Sequence, residues 1–185
     1  MIPIKITRIP IMPSTAIRTT QNISKLMRIP EEWFTKPTSD EVSRIKKARL
    51  FNRRTQIETY LMYKEELNSI CKRTGFKLPH GYFAIWFYIR VPKSWRVKKV
   101  EQFMGMPHQS TPDADNLIKG LWDGMMPKPN KNKGEKGSSD DRLVHCFSAF
   151  KVWSSYDESC IDIVEYSKED YMSQFEYNKK DAILL

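Results

Sequence analysis

From Thr38 to Thr74 the chain contains neither glycine nor proline, and nothing else in the sequence restricts the fold as much. Apolar residues recur across this stretch at Val42, Ile45, Ala48 and Phe51, then at Ile57, Tyr60, Leu61, Leu67, Ile70 and Cys71. Steps of three and four residues collect them on one stripe of a helix, which should face the core. The opposite face is strongly basic, with Arg44, Lys46, Lys47, Arg49, Arg53 and Arg54. Just after Pro37, Thr38-Ser39-Asp40-Glu41 sets a hydroxyl residue three before a glutamate, the pattern of a capping box, and Gly75 supplies the stop. One long helix or two shorter ones fit this stretch.

The flanking segments place the remaining elements. Residues 2–11 read as a first strand, ended by Pro10 and Pro13, and the Pro- and Thr-rich residues 12–37 as extended loop. Gly81 to Val91 is aromatic and β-branched without a breaker, which predicts a central strand buried on both faces. Lys93 to Gly105 is basic and amphipathic, a short helix. Asn116 to Met126 is a helix with Leu117, Ile118, Leu121, Trp122 and Met125 on its apolar side. Leu143 to Trp153 and Ser159 to Tyr166 alternate as two strands of a hairpin would, joined around Ser155-Tyr156-Asp157. The order β-α-β-α-β-β predicts an α+β (mixed α/β) fold: a small single domain with about four strands, a long basic helix and a helix after the Asp113/Asp115 pair. The domain is expected over residues 1–166, with a flexible basic loop at 126–139 and a polar tail at 167–185.

The formal net charge of +9 favours polyanions, nucleic acid first and an acidic membrane surface second. No apolar run approaches the roughly 18–20 residues that span a bilayer, so no membrane partner is expected. The amino-terminal residues alternate rather than forming a basic start and a continuous apolar stretch, so the expected location is the cytoplasm. Cys71, Cys146 and Cys160 are odd in number and widely spaced, which suits a reducing compartment. His80, His108 and His145 are equally scattered, so no zinc site of thiolates or imidazoles is expected.

The segment with chemistry in it is Pro112-Asp113-Ala114-Asp115-Asn116-Leu117-Ile118-Lys119. Two carboxylates two residues apart in extended chain point the same way, directly before a helix that Asp115 or Asn116 would cap. They would repel each other unless a cation lay between them, and hard divalent cations select such oxygen ligands. The plainer alternative is that both only cap the helix and its preceding turn. Lys119, one turn beyond Asp115, shares its face and either stabilises charge that develops in phosphoryl transfer or forms an ordinary i, i+4 ion pair. Asp140 and Asp141, after the basic loop, are placed to add a third carboxylate or to form a solvated acidic turn. A calcium loop starting at Asp113 is excluded, because its fifth, sixth and twelfth positions hold Leu117, Ile118 and Gly124. The Gly134-to-Gly137 stretch lacks the spacing and the Lys-Ser/Thr ending of a phosphate-binding loop.

The run from Pro112 to Asp123 together with Asp140-Asp141 resembles the RusA family of Holliday junction resolvases. The family pattern is Asp-x-Asp-Asn, two hydrophobic residues and Lys, then a helix with a further Asp, and later an Asp-Asp pair. His108 shortly before the motif resembles phage-borne members, which fits a phage-encoded protein acting at the nucleoid of a bacterial host. The resemblance implies that Asp113, Asp115 and Asp141 bind magnesium (manganese as a substitute), that Lys119 is catalytic, and that Asn116 and Asp140 support them. It implies a homodimer cutting four-way junctions in branched DNA. It also implies DNA contacts from Ser14, Thr15 and Arg18 after the first strand, from Gln109, Ser110 and Thr111 before the aspartates, and from Lys151 on the following strand. The chain departs from the pattern in its extra length, mostly between Thr20 and Asp40, in the long helix, in the loop to Ser139 and at the C-terminus, and in lacking an asparagine in the turn from Met12 to Ile17.

The expected reaction is phosphodiester hydrolysis. The alternatives are a DNA-binding or regulatory protein of the same fold without catalysis, and a metal nuclease acting on flaps or RNA. Trp86, Phe87 and Tyr88 read as core or sheet-face residues. Trp95 and Phe103, among basic residues, would either stack on unpaired bases or pack in the core or a dimer.

Overall fold

In the computed structural model, which describes residues 2–14, 23–38, 40–126, 144–155 and 157–173, the long breaker-free stretch is one helix. The elements run β1 (Lys5–Ile9), α1 (Ile23–Met27), α2 (Glu31–Thr35), α3 (Glu41–Thr74), β2 (Gly81–Arg90), α4 (Val97–Phe103), α5 (Ala114–Met125), β3 (Cys146–Ser154), β4 (Ile161–Glu165) and α6 (Lys168–Met172). Helix α3 is capped by Asp40, whose carboxylate accepts the Ser43 amide at 2.7 Å. The cap is therefore the aspartate and not the expected hydroxyl of Thr38. At the other end Gly75 adopts the left-handed conformation at φ 67°, where a side chain would be strained.

The four strands form one mixed sheet in the order β1-β4-β2-β3. The sequence expectation of an α+β domain with a four-stranded sheet and a long helix agrees with this architecture. The expected hairpin does not form. Strand β2 lies between β3 and β4, antiparallel to β4 and parallel to β3. A parallel neighbour needs a long crossover, and the segment carrying α4 and α5 provides it.

One face of the sheet carries Ile9, Phe83, Ile85, Phe87, Ile161 and Ile163, which are packed with Tyr60, Tyr63 and Leu67 of α3 and Leu117 and Leu121 of α5. Only the second half of α3 enters this core. Val42, Ile45 and Phe51, expected on the buried stripe, are 76%, 46% and 45% exposed. A helix of 34 residues is about 51 Å long and outruns a sheet whose longest strand has 10 residues, about 33 Å.

The other face of the sheet is only partly covered, so β2 is not buried on both sides as expected. Trp86 stacks on Phe150 at 4.5 Å between ring centroids, and Ile4 and Ile6 are exposed beside β4. Asp162, buried on this face, is satisfied by a bidentate guanidinium: Arg8 donates from Nε to Oδ1 at 2.8 Å and from Nη2 to Oδ2 at 2.7 Å. Helix α6 docks through Tyr171, which is buried and shares a 2.9 Å hydrogen bond with the Ser148 hydroxyl. None of the helices among the described residues is long and apolar enough to cross a membrane.

Candidate active site

Strand β3 is at the edge of the sheet, and the chain that follows α4 pairs with its open side. Gly105 N donates to Trp153 O, Trp153 N to Met106 O, and His108 N to Lys151 O, at 2.9–3.0 Å. This short ladder fixes where the loop Gln109–Pro112 begins. His108 is buried against the Trp153 ring, with centroids 4.0 Å apart, and its Nδ1 has no hydrogen-bond partner among the described residues. Burial, and then the charge of Lys151, hold this imidazole below its ordinary pKa, which keeps it neutral at pH 7.

The far end of the loop is held from the sheet. Lys151 pairs in register with Phe87, so its side chain stands on the face that carries the helices. Its Nζ donates to Ser110 O at 3.0 Å and to Pro112 O at 2.7 Å. Two backbone carbonyls that no helix or strand satisfies are thus fixed by one ammonium. The residue implied by resemblance to be a DNA contact therefore grips the loop in front of the aspartates. On the DNA-cleaving activity that the resemblance implies, Lys151→Met is expected to lower the rate at saturating DNA by roughly tenfold or more, because a loop free to shift by an ångström misplaces what it carries. A loss of affinity with an unchanged saturated rate would instead return Lys151 to phosphate binding.

Helix α5 begins between the two carboxylates. Asp113 is its N-cap, extended at φ −72° and ψ 148°, and Asp115 lies in its first turn. Strand-like alternation therefore does not set their relative direction, as the sequence reading had it, and the helix starts at Ala114 rather than Asn116. Asp113 occupies the capping position, yet its side chain accepts no cap hydrogen bond. Asp115 and Lys119 are exposed one turn apart, and they form no ion pair. Among the described residues, neither carboxylate nor the ammonium has an ion-pair partner. The amino-terminal end of a helix favours negative charge, which stabilises the two carboxylates where they stand.

The opposite side of α5 is clamped. Leu117, Gly120, Leu121 and Gly124 are buried, and a Cβ at Gly124 would lie 2.7 Å from Leu67 Cδ2 of α3. Tyr60 of α3 donates its hydroxyl to Asp123 Oδ2 at 2.6 Å. Burial first, and that hydrogen bond second, push the Tyr60 phenol well above its ordinary pKa, so it stays a donor. The further aspartate of the motif is therefore a tether between two helices. No sequence signal singles out Tyr60, because its spacing marks it only as part of an apolar stripe.

The structure brings Gln109, Ser110, Thr111, Asp113, Asp115, Asn116, Lys119 and Lys151 together on one loop, one helix end and one strand. Gln109, Ser110 and Thr111 are exposed, and Asn116 is half-buried. Ser14 follows β1, at the sheet edge opposite β3. Thr15, Arg18, Asp140 and Asp141 lie outside the described residues. Among the described residues no three His, Cys, Asp or Glu side chains gather as a metal site. The donors present, two exposed carboxylates without an ion pair among the described residues, are of the hard oxygen type that magnesium and manganese take. Trp95 packs with Phe103 and with Trp153, and Lys99 Nζ stands 4.1 Å from the Trp95 ring centroid.

The family model for the endodeoxyribonuclease RusA matches residues 35–163, well over half of the chain. No curated protein and no solved structure matches it.

Proposed function

The chain belongs to the RusA endodeoxyribonuclease family, and from that premise we propose that it is a magnesium-dependent nuclease that resolves four-way DNA junctions by phosphodiester hydrolysis. The observation that carries this reading is the pair Asp113 and Asp115, exposed and without an ion pair among the described residues, at the start of a helix whose other side is locked into the core. Asp113 and Asp115, with Asp141, would hold the cation, and Asp140 and Asn116 would support them. A divalent cation supplies Lewis acidity there, drawing charge from the phosphate under attack and making water a better nucleophile.

The chain's own groups do the rest. Lys119 Nζ, one turn beyond Asp115, donates to the phosphate oxygens on which negative charge builds in the transition state. The loop Gln109–Thr111, pinned by Lys151, offers exposed polar side chains to the flanking strand and so sets the register of the cut. The basic residues of α3 and α4 add a sequence-independent attraction that salt weakens. Cutting a junction symmetrically takes two such sites, which we assign to a homodimer, and the work belongs in the cytoplasm, at the nucleoid.

The test is cleavage of a four-way junction, a flap, a linear duplex and an RNA hairpin side by side, with Mg²⁺ or with EDTA, alongside light scattering of the same preparation. Paired cuts in the junction, their loss in EDTA and a dimeric mass are the expected results. Equal cutting of the linear duplex, or cutting undiminished by EDTA, would overturn the assignment.

A further inference from the structure

The first four turns of α3 lie outside the core, and α1 and α2 pack on this helix. Helix α1 and all but the last residue of α2 precede the family match, whereas α3 lies inside it. Between Glu41 and Arg54 there are six basic residues and one acid. Two of the six are turned inward and stitch the corner together. Lys47, 8% exposed, donates to Lys36 O at 2.6 Å with its Nζ 4.9 Å from the Trp33 ring centroid. Arg54 donates to Ile29 O at 2.6 Å and pairs with Glu58 at 2.8 Å. The other four, Arg44, Lys46, Arg49 and Arg53, are exposed and form no ion pair among the described residues.

Between the end of α2, the turn after it and α3 is a cavity of about 420 Å³ lined by Phe34, Phe51, Ala48, Arg44 and Lys47 among others. The two phenylalanine rings are 5.6 Å apart and tilted by 61°, and Phe51 is 45% exposed. An apolar recess with aromatic walls and a cationic rim suits a flat apolar ring attached to a negatively charged chain. We infer that this corner is a second nucleic-acid site, in which an unpaired base of a single strand enters against Phe51 while its phosphates lie on Arg44 and Arg49.

Stacking on a ring tolerates any base, because each has a π face, so the site reads strandedness rather than sequence. Arg44 lines the recess, and Lys46, Arg49 and Arg53 are exposed on the same stretch of α3 without an ion pair among the described residues, a concentration of one sign of charge that favours a polyphosphate strand over a protein surface of mixed sign. The inference deepens the nuclease reading and rests on DNA being the substrate. It would hold a strand near the branch while the cut is made elsewhere on the molecule.

The probes are labelled oligothymidylate, a four-way junction with unpaired thymines at the branch, and a fully paired duplex. Phe51→Ala should bind the first two about tenfold more weakly and the duplex as wild type does. Phe51→Leu, which keeps apolar volume without a ring, should show the same loss. The Arg44→Ala/Arg49→Ala double variant should flatten the salt dependence of oligothymidylate binding by roughly 1.4 in log–log slope. Cleavage of a saturating junction by Phe51→Ala should be unchanged. Wild-type affinity of Phe51→Ala for oligothymidylate would overturn the inference, and so would a shift to monomer, which would make this face an interface between copies. If wild type cuts no DNA but Phe51→Ala still weakens oligothymidylate binding, the nuclease reading falls and this site stands. If wild type cuts and Phe51→Ala binds normally, the reverse holds.

Discussion

Replacing Asp113 or Asp115 with asparagine is expected to slow junction cleavage roughly a thousandfold, equivalent to about 4 kcal/mol of transition-state stabilisation. The amide keeps the size and shape of the carboxylate but removes the charge that would hold a divalent cation. Neither carboxylate caps α5 or joins an ion pair among the described residues, so the substitution should leave the melting temperature nearly unchanged. DNA affinity should stay the same or rise slightly, since a negative charge facing phosphates has been removed. The three readouts separate catalysis from structure. A variant that cuts at the wild-type rate would refute the site, and one that loses activity only in step with its folding would reduce the aspartates to a structural role.

The packing that holds this site in place should respond as a pair. Leu67 is fully buried between α3 and α5, and Leu67→Ala is expected to cost about 2–5 kcal/mol in urea unfolding. Gly124→Val fails for the opposite reason. Its Cβ would lie 2.7 Å from Leu67 Cδ2 and 3.3 Å from Leu67 Cβ, an atom that no rotamer change moves away. Helix α5 must then back off α3, at about 1–3 kcal/mol. Because that helix carries Asp113, Asp115 and Lys119, the substitution should also depress cleavage without touching a reacting group. Combining the two changes fills one cavity with the other's excess, so the double variant should be more stable than the sum of the two losses by about 1 kcal/mol or more. Strict additivity would show that the two residues do not share the contact.

How far the fold could be read in advance depended on the range of the interactions involved. Helix α3 and its stop at Gly75 were legible because helix bonds span four residues and the absence of breakers is visible along the chain. The strand character of β2 was equally plain from its aromatic and β-branched run. The partners of β3 and β4 were not. The two are antiparallel to each other and close in sequence, which alternation cannot distinguish from a hairpin, yet β2 lies between them. The stripe from Val42 to Phe51 misled for a related reason: periodicity says that a helix has an apolar face, not how far the layer beneath it extends.

For the site, the carboxylate pair, the lysine one turn on and the helix that carries them were legible along the chain, since spacing within a few residues sets all three. Tertiary structure alone decided that Asp113 leaves its capping role unused, that Lys151 reaches across from β3 to hold the loop, and that Tyr60 tethers Asp123. Those contacts join residues some 40 to 60 positions apart. Their existence depends on which strand lies beside which and how closely α5 can approach α3, and no local pattern of polar and apolar residues encodes either.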